Sequence, residues 1–191
     1  QYLKNIRAEC SRMAALVGDM LLLASTDAGS WSVKRETVDM DTLLIETYEL
    51  YEPVCRSSGI RLFLDLPEET LPHITGDSFR LKQLLTILLD NAVSYTPEDR
   101  GITISAAANG NELTISVADQ GCGIPPEARA HIFDRFYRGD SSRTDNRHFG
   151  LGLSIARDLA ERHGGRISVD ETEGGGATFW IKLPVIIENG L

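Results

Sequence analysis

Apolar residues recur along the first two dozen positions at alternating steps of three and four. Leu3, Cys10, Val17 and Ala24 fall on one heptad position, Ile6, Met13 and Met20 on another, and Leu16 and Leu23 widen the stripe. That pattern predicts one helix over residues 1–27 with a seam that wants partner helices. Asp27-Ala-Gly29-Ser30 then breaks the periodicity. A short strand is expected over 33–38, and a helix from Asp41, acting as N-cap, to Ser58, where Gly59 stops it. Pro53 lies inside that helix as a point of kinking. Ile60-Arg-Leu62-Phe-Leu64 alternates as a strand, with Pro67 and Pro72 marking the loop after it. Asp77 or Ser78 caps a further helix ending at Tyr95, and Pro97, Asp99 and Gly101 turn the chain. Residues 102–106 and 113–117 read as a hairpin joined through Asn109-Gly110-Asn111. A helix over 151–163 ends at Gly164-Gly165, and strands over 166–169 and 177–183 close the pattern. Strands and helices in this mixed order predict an α+β fold. We expect a two-layer α/β sandwich, with one mixed sheet packed on helices over residues 29–191 and the N-terminal helix of 1–28 ahead of it.

Composition narrows the function. With 191 residues, 42% of them apolar, the chain can bury a core, and its net charge of −9 disfavours a nucleic-acid partner. Positive charge is local: Arg135, Arg138, Arg143 and Arg147 cluster in one stretch, as a solvated loop face or as phosphate contacts. Cys10, Cys55 and Cys122 are widely spaced with no CxxC, which fits reduced thiols in a cytoplasmic setting and not a disulfide frame or zinc site. No run approaches the roughly 20 apolar residues of a membrane span, and no signal peptide opens the chain.

Chemistry concentrates between residues 91 and 178. In Asp119-Gln-Gly121-Cys-Gly123-Ile124-Pro125 a carboxylate lies beside two glycines, so it can read an amine edge while bare backbone admits a flat ring. Capping a turn is the alternative role for Asp119. Gly150-Leu151-Gly152-Leu153 opens a helix whose first N–H groups lack intrahelical partners, and phosphate oxygens suit such a helix start. A base at one end and a phosphate tail at the other make a nucleotide site. Asn91 sits in an apolar helix, where its amide needs a partner, either neighbouring backbone or a ligand.

These segments, with Leu84 to Pro97, Ile132-Phe133-Asp-Arg-Phe136-Tyr137-Arg138 and Gly174-Gly-Gly176-Ala-Thr178-Phe179, resemble the motifs of a sensor histidine kinase catalytic domain. Five motifs in order and register make the resemblance specific. It implies a Bergerat-type ATP-binding fold over 29–191, ATP and Mg²⁺ as cofactors, and Asn91 as the metal ligand. It further implies adenine contacts by Asp119 and Tyr95 and nucleotide contacts by Gly121, Gly123, Ile124, Gly150, Leu151, Gly152, Leu153 and Thr178. Arg138 is implied to act with Asn91 in catalysis by meeting the terminal phosphate. Tyr95 can equally cap the core, and Phe133 and Phe136 read as packing residues that tie down a lid over 124–149. The resemblance places residues 1–28 as the second helix of a dimerisation and phosphoacceptor hairpin.

The implied parent is a homodimeric, membrane-anchored sensor in a two-component phosphorelay. It passes phosphate from ATP to a histidine and then to a response regulator, and this cytoplasmic part touches no membrane. None of His73, His131, His148 and His163 has the acidic neighbour of a phosphoacceptor, so the chain is expected to be inactive alone. His163 suits a helix C-terminus electrostatically. The family often carries asparagine one turn before the metal ligand and lysine three residues after it; here Ile87 and Ser94 stand there, and Phe149 precedes Gly150. A nucleotide-binding module without turnover, and a related ATPase or serine kinase on the same fold, are the alternatives.

Overall fold

The computed structural model describes residues 34–138 and 149–185, with residues 2, 6, 10, 13, 17, 18, 20 and 21 of the N-terminal stretch. Leu3, Leu16, Leu23, Ala24, the break at 27–30, Val33, Arg143, Arg147 and His148 lie outside the described residues. Ile6, Cys10, Met13, Val17 and Met20 are helical, as the heptad pattern predicts, and all five are exposed.

Period-two patterning builds the main sheet. Strands β2 (Arg61–Asp65), β4 (Gly101–Asn109), β5 (Glu112–Asp119), β6 (Arg166–Glu171) and β7 (Ala177–Pro184) lie in the order β2-β4-β5-β7-β6. The β2–β4 pair is parallel and the others antiparallel, which makes the sheet mixed. Ile104, Val117 and Phe179 fall in register across three strands, and all are buried. The alternate positions carry Ser105, Ser116 and Trp180, with the two serine hydroxyls 2.7 Å apart. One face is thus apolar and covered, the other polar and more open, because successive side chains point to opposite faces.

Helices α1 (Met40–Ser57), α2 (Ser78–Tyr95) and α4 (Gly152–Arg162) cover the apolar face, and α3 (Pro126–Arg129) is a single turn. Helix α2 packs against both α1 and α4 and sits centrally, burying Leu81, Leu84, Leu85, Leu88, Leu89 and Ala92. Its N-cap is Asp77, whose side chain accepts from Arg80 N at 3.1 Å. Helix α1 starts earlier than expected. Asp39, not Asp41, is the N-cap, accepting from Thr42 N at 3.1 Å. Asp41 lies in the first turn, and its Oδ2 instead accepts from Leu71 N at 2.9 Å, pinning the loop after β2. The helix continues through Pro53, and residue 49, whose carbonyl loses its partner there, is exposed to water.

A second, two-stranded sheet joins β1 (Glu36–Val38) to β3 (Ile74–Gly76) in antiparallel register. Strand β3 was not expected; three residues after Pro72 are too short to show alternation. Gly76 approaches α4 so closely that a Cβ there would lie 2.7 Å from the His163 ring. His163 caps α4 and is buried. Its Nε2 accepts from Asp77 N at 3.0 Å, and Nδ1 faces the Leu159 carbonyl at 2.7 Å, so Nδ1 carries the proton. The ring therefore acts as a two-ended hydrogen-bond link and not as the cationic helix terminus expected. His163→Leu is predicted to lower the unfolding free energy by about 1–3 kcal/mol, since the part-buried Asp77 N–H loses its acceptor and the Leu159 carbonyl keeps only the backbone donor of residue 163. Urea titration checks this, and an unchanged midpoint would show that the link contributes nothing.

Candidate functional site

Asp119 ends β5 on the same face as Val117 and Ile115, so the helices cover it and it is 3% exposed. Its Oδ1 accepts from Gly121 N at 2.8 Å and from Ala177 N at 3.2 Å. Oδ2 accepts from no group among the described residues. Burial pushes the carboxyl above its ordinary value of 3.8, against the pull of the two N–H groups. A buried carboxylate with one oxygen fixed and the other open is an acceptor aimed at a donor edge.

Glycines make the close backbone approaches around Asp119 possible. A Cβ on Gly121 would lie 2.5 Å from the Tyr95 carbonyl. That places the Asp119 turn against the end of α2. Gly176, at φ +116°, has its α-carbon against the Asp119 carbonyl, where no side chain fits. Sequence reasoning does not single out Gly176 as a site residue, although the three consecutive glycines 174–176 are a signal for it. Gly123 in turn backs onto the Gly176 carbonyl.

Asn91 and Tyr95 lie one turn apart on α2, both half-buried. Neither side chain makes a hydrogen bond among the described residues, so a backbone partner for the Asn91 amide is not found. Among those residues no group of three or more His, Cys, Asp or Glu could hold a metal. A half-buried amide oxygen without a partner nevertheless suits a magnesium ion that takes its other ligands from phosphates and water.

At the start of α4, Leu151 is the N-cap and makes no side-chain cap bond, which leaves the first-turn N–H groups of Gly152 and Leu153 for an anion. Gly150, at φ +74°, lies 2.6 Å from the Tyr137 carbonyl by its virtual Cβ, and its own carbonyl accepts from Phe136 N at 2.8 Å. This clasp draws Tyr137 and the half-buried Arg138 to the helix start. Arg135 pairs with Asp158 of α4 at 3.7 Å. Phe133 meets Phe179 edge-on, with ring centroids 6.4 Å apart, and so packs as expected. Phe136 does not: it is 63% exposed, and its φ of +62° turns the side chain outward. Within the lid, α3 and the turns through residue 138 are ordered on the domain. Arg129 secures their base, donating to the Ile124 carbonyl at 3.0 Å and pairing with Glu171 at 3.2 Å.

Thr178 also departs from expectation. The β5–β7 register sets it opposite Ala118, one residue out of step with Asp119, and its hydroxyl pairs with Thr172 at 2.8 Å. The backbone N–H of Ala177 meets the Asp119 carboxylate instead. His73 and His131 are exposed, with His131 Nδ1 3.0 Å from Asp134 Oδ2. Among the described residues, no helix is long and apolar enough to cross a membrane.

A mixed sheet under helices, with a buried acceptor, glycine turns and an uncapped helix start along one rim, defines an ATP-binding α/β sandwich. The family profile "Histidine kinase-, DNA gyrase B-, and HSP90-like ATPase" matches residues 76–187, and the chain belongs to that family. Relatives within the family include sensor histidine kinases. It is 34% identical over 190 residues to the sensor histidine kinase WalK of Bacillus subtilis (strain 168), covering 96% of this chain and 30% of that one. The structure of full-length ShkA in complex with AMPPNP superposes with a TM-score of 0.84 at 34% identity, covering 96% of this chain and 38% of the other. Histidine kinase ThkA in complex with the response regulator TrrA gives a TM-score of 0.77 at 28% identity, covering 99% and 52%. The chain spans less than half the length of the curated relatives it matches, at most 46%. Its sequence and fold are thus similar to those of the ATPase catalytic domains of sensor histidine kinases.

The raised Asp119 carboxyl has a consequence for stability. The folded value exceeds the unfolded one, so the native state holds the proton more tightly. Stability therefore falls as pH rises from about 3.8 through the raised value. Asp119→Asn keeps an oxygen for Gly121 and Ala177 without that cost. The variant is predicted to be at least as stable as the parent at pH 7, with the difference closing below about pH 4; urea midpoints against pH measure this.

Proposed function

We propose that this chain binds Mg²⁺·ATP between the end of α2, the Asp119 turn and the start of α4. From there it would present the γ-phosphoryl group to a histidine on a partner helix, and the group would pass on to an aspartate of a response-regulator receiver domain. The observation that carries the reading is the Asp119 carboxylate, buried with Oδ1 held by two N–H groups and Oδ2 left to accept from the adenine amino group. Gly121 and Gly123 supply the bare backbone on which the ring lies, with Ile124 and Tyr95 beside it. The N–H groups of the Gly150, Leu151, Gly152 and Leu153 segment receive the phosphates, and Arg138 offsets the charge that develops on the transferring group. Asn91 is the residue to hold Mg²⁺, which supplies charge neutralisation for the phosphate chain when bound. The Thr178 hydroxyl pairs with Thr172, and this reading assigns it no separate nucleotide contact. The exposed heptad face would pair with a helical hairpin in a homodimer, and the acidic net charge argues against nucleic acid. A cytoplasmic location fits a domain that draws on ATP, as the soluble part of a membrane-anchored sensor.

Calorimetric titration with Mg²⁺·ATP and Mg²⁺·ADP tests this. The parent chain is predicted to bind both. Asp119→Asn should weaken binding by about tenfold or more, because its amide would set a donor against the adenine amino group. Asn91→Ala should bind ATP without responding to Mg²⁺. A folded parent chain that takes up no nucleotide would end the reading.

A further inference from the structure

The rear of the domain, where the chain enters β1 and leaves β7, holds a cavity of about 300 Å³. That is the lower end of the range for small-molecule sites, roughly 300–1,000 Å³. Two arginines line it from different elements. Arg35 lies immediately ahead of β1, exposed and without an ion pair among the described residues, and Arg162 is half-buried in the last turn of α4. Among the described residues that line the cavity, none is acidic. Two acids that border it are engaged elsewhere. Glu36, next to Arg35, pairs with Lys34 at 2.9 Å. Glu112, opposite Pro184 in the β5–β7 register, pairs with Arg166 at 2.7 Å and Lys182 at 3.3 Å. In a chain of net charge −9 the cavity is a local reversal of sign.

Its walls are fixed by bonds of the fold. Gly164 N and Gly165 N close the end of α4, donating to the Glu161 and Ala160 carbonyls at 2.9 Å each, so these carbonyls are not bare acceptors that would repel an anion. His163 forms an uncharged wall, because Asp77 N and the Leu159 carbonyl take both of its ring nitrogens. Val185 N donates to the Asn111 carbonyl at 3.0 Å, and Pro184 lies beside Gly164, whose added Cβ would be 3.4 Å from Pro184 Cγ. Pro184 and Val185 thus give the cavity an apolar lining, and Thr75 brings a hydroxyl.

We propose that this cavity binds a small organic phosphate monoester. Each guanidinium offers a planar fork of N–H donors. One fork satisfies a carboxylate, whereas two forks from different elements suit a phosphate with three terminal oxygens. Pro184 and Val185 take the organic body of the ester, which inorganic phosphate lacks. Walls already held in place lose little freedom when the ligand arrives. Helix α4, 11 residues or roughly 16 Å long, separates Arg162 from Gly152, so the site is distinct from the nucleotide rim and does not depend on that reading.

Phenyl phosphate is the probe, titrated by calorimetry into the full chain with Mg²⁺·ADP present to fill the rim. It is expected to saturate one site, at least about tenfold more tightly than inorganic phosphate or benzoate does. Arg35→Gln and Arg162→Gln should each weaken it about tenfold or more while keeping the native circular dichroism spectrum. Equal affinity for benzoate or for inorganic phosphate would overturn the monoester assignment. No saturation at millimolar concentrations, or unchanged binding by both folded variants, would overturn the site. The parent alone gives a reading that no folding defect can affect: the amide resonances of Gly164 and Val185 should shift as phenyl phosphate is added. Shifts confined to Gly121, Gly152 and Leu153 would put the probe at the nucleotide rim and end the proposal.

Discussion

Everything at the nucleotide end depends on how closely three stretches of backbone approach one another around Asp119. The Gly121 α-carbon lies against the Tyr95 carbonyl, the Gly176 α-carbon lies against the Asp119 carbonyl, and Ala177 donates to the Asp119 carboxylate. A methyl group at either glycine would separate these strands of chain, since interiors packed to crystal density have no slack to absorb it. The carboxylate is buried only because those approaches are made. Its raised pKa and its open Oδ2 follow from the same geometry.

Helices α2 and α4 give the site its second dimension. Asn91 and Tyr95 sit near the C-terminal end of α2, and Gly152 begins α4, so the candidate groups occupy opposite ends of two neighbouring helices. At the far end the arrangement is tied off by His163, which joins the α4 terminus to the first residue ahead of α2, under the β1–β3 ribbon. The active rim is thereby fixed from behind as well as from in front. Tyr51 adds a third tie by holding the Asp90 turn of α2 to α1.

Much of this was legible in the sequence. Long amphipathic runs located α1, α2 and α4, the Asn-Gly-Asn turn located the β4–β5 hairpin, and the glycine motifs around Asp119 and Gly150 marked the candidate site. What was hidden has one physical character: it depends on contacts between residues far apart in the chain. Strand β3 is defined by its pairing with β1 and not by its own three residues. Thr178 looked like a ligand from its motif, but strand register turned its hydroxyl toward Thr172. Phe136 looked like packing from its chemistry, but a left-handed φ aimed it outward. The Asp39 cap displaced the expected Asp41 because Asp41 had a partner in the loop at Leu71.

The bond from Ala177 to Asp119 also sets the order in which a growing chain becomes competent. A ribosome releases the N-terminal residues first, and a domain folds as a unit once its parts are available. Helices α1 and α2 and the β4–β5 hairpin can associate while β7 is still unmade. The carboxylate then stands at the end of an edge strand with only Gly121 N to meet its Oδ1 and no Gly176 to close the turn. Only when the chain has reached Ala177–Pro184 does the last inner strand pair with β5 and enclose it. A site assembled from the middle and the end of the sequence is closed only once the chain has passed β7.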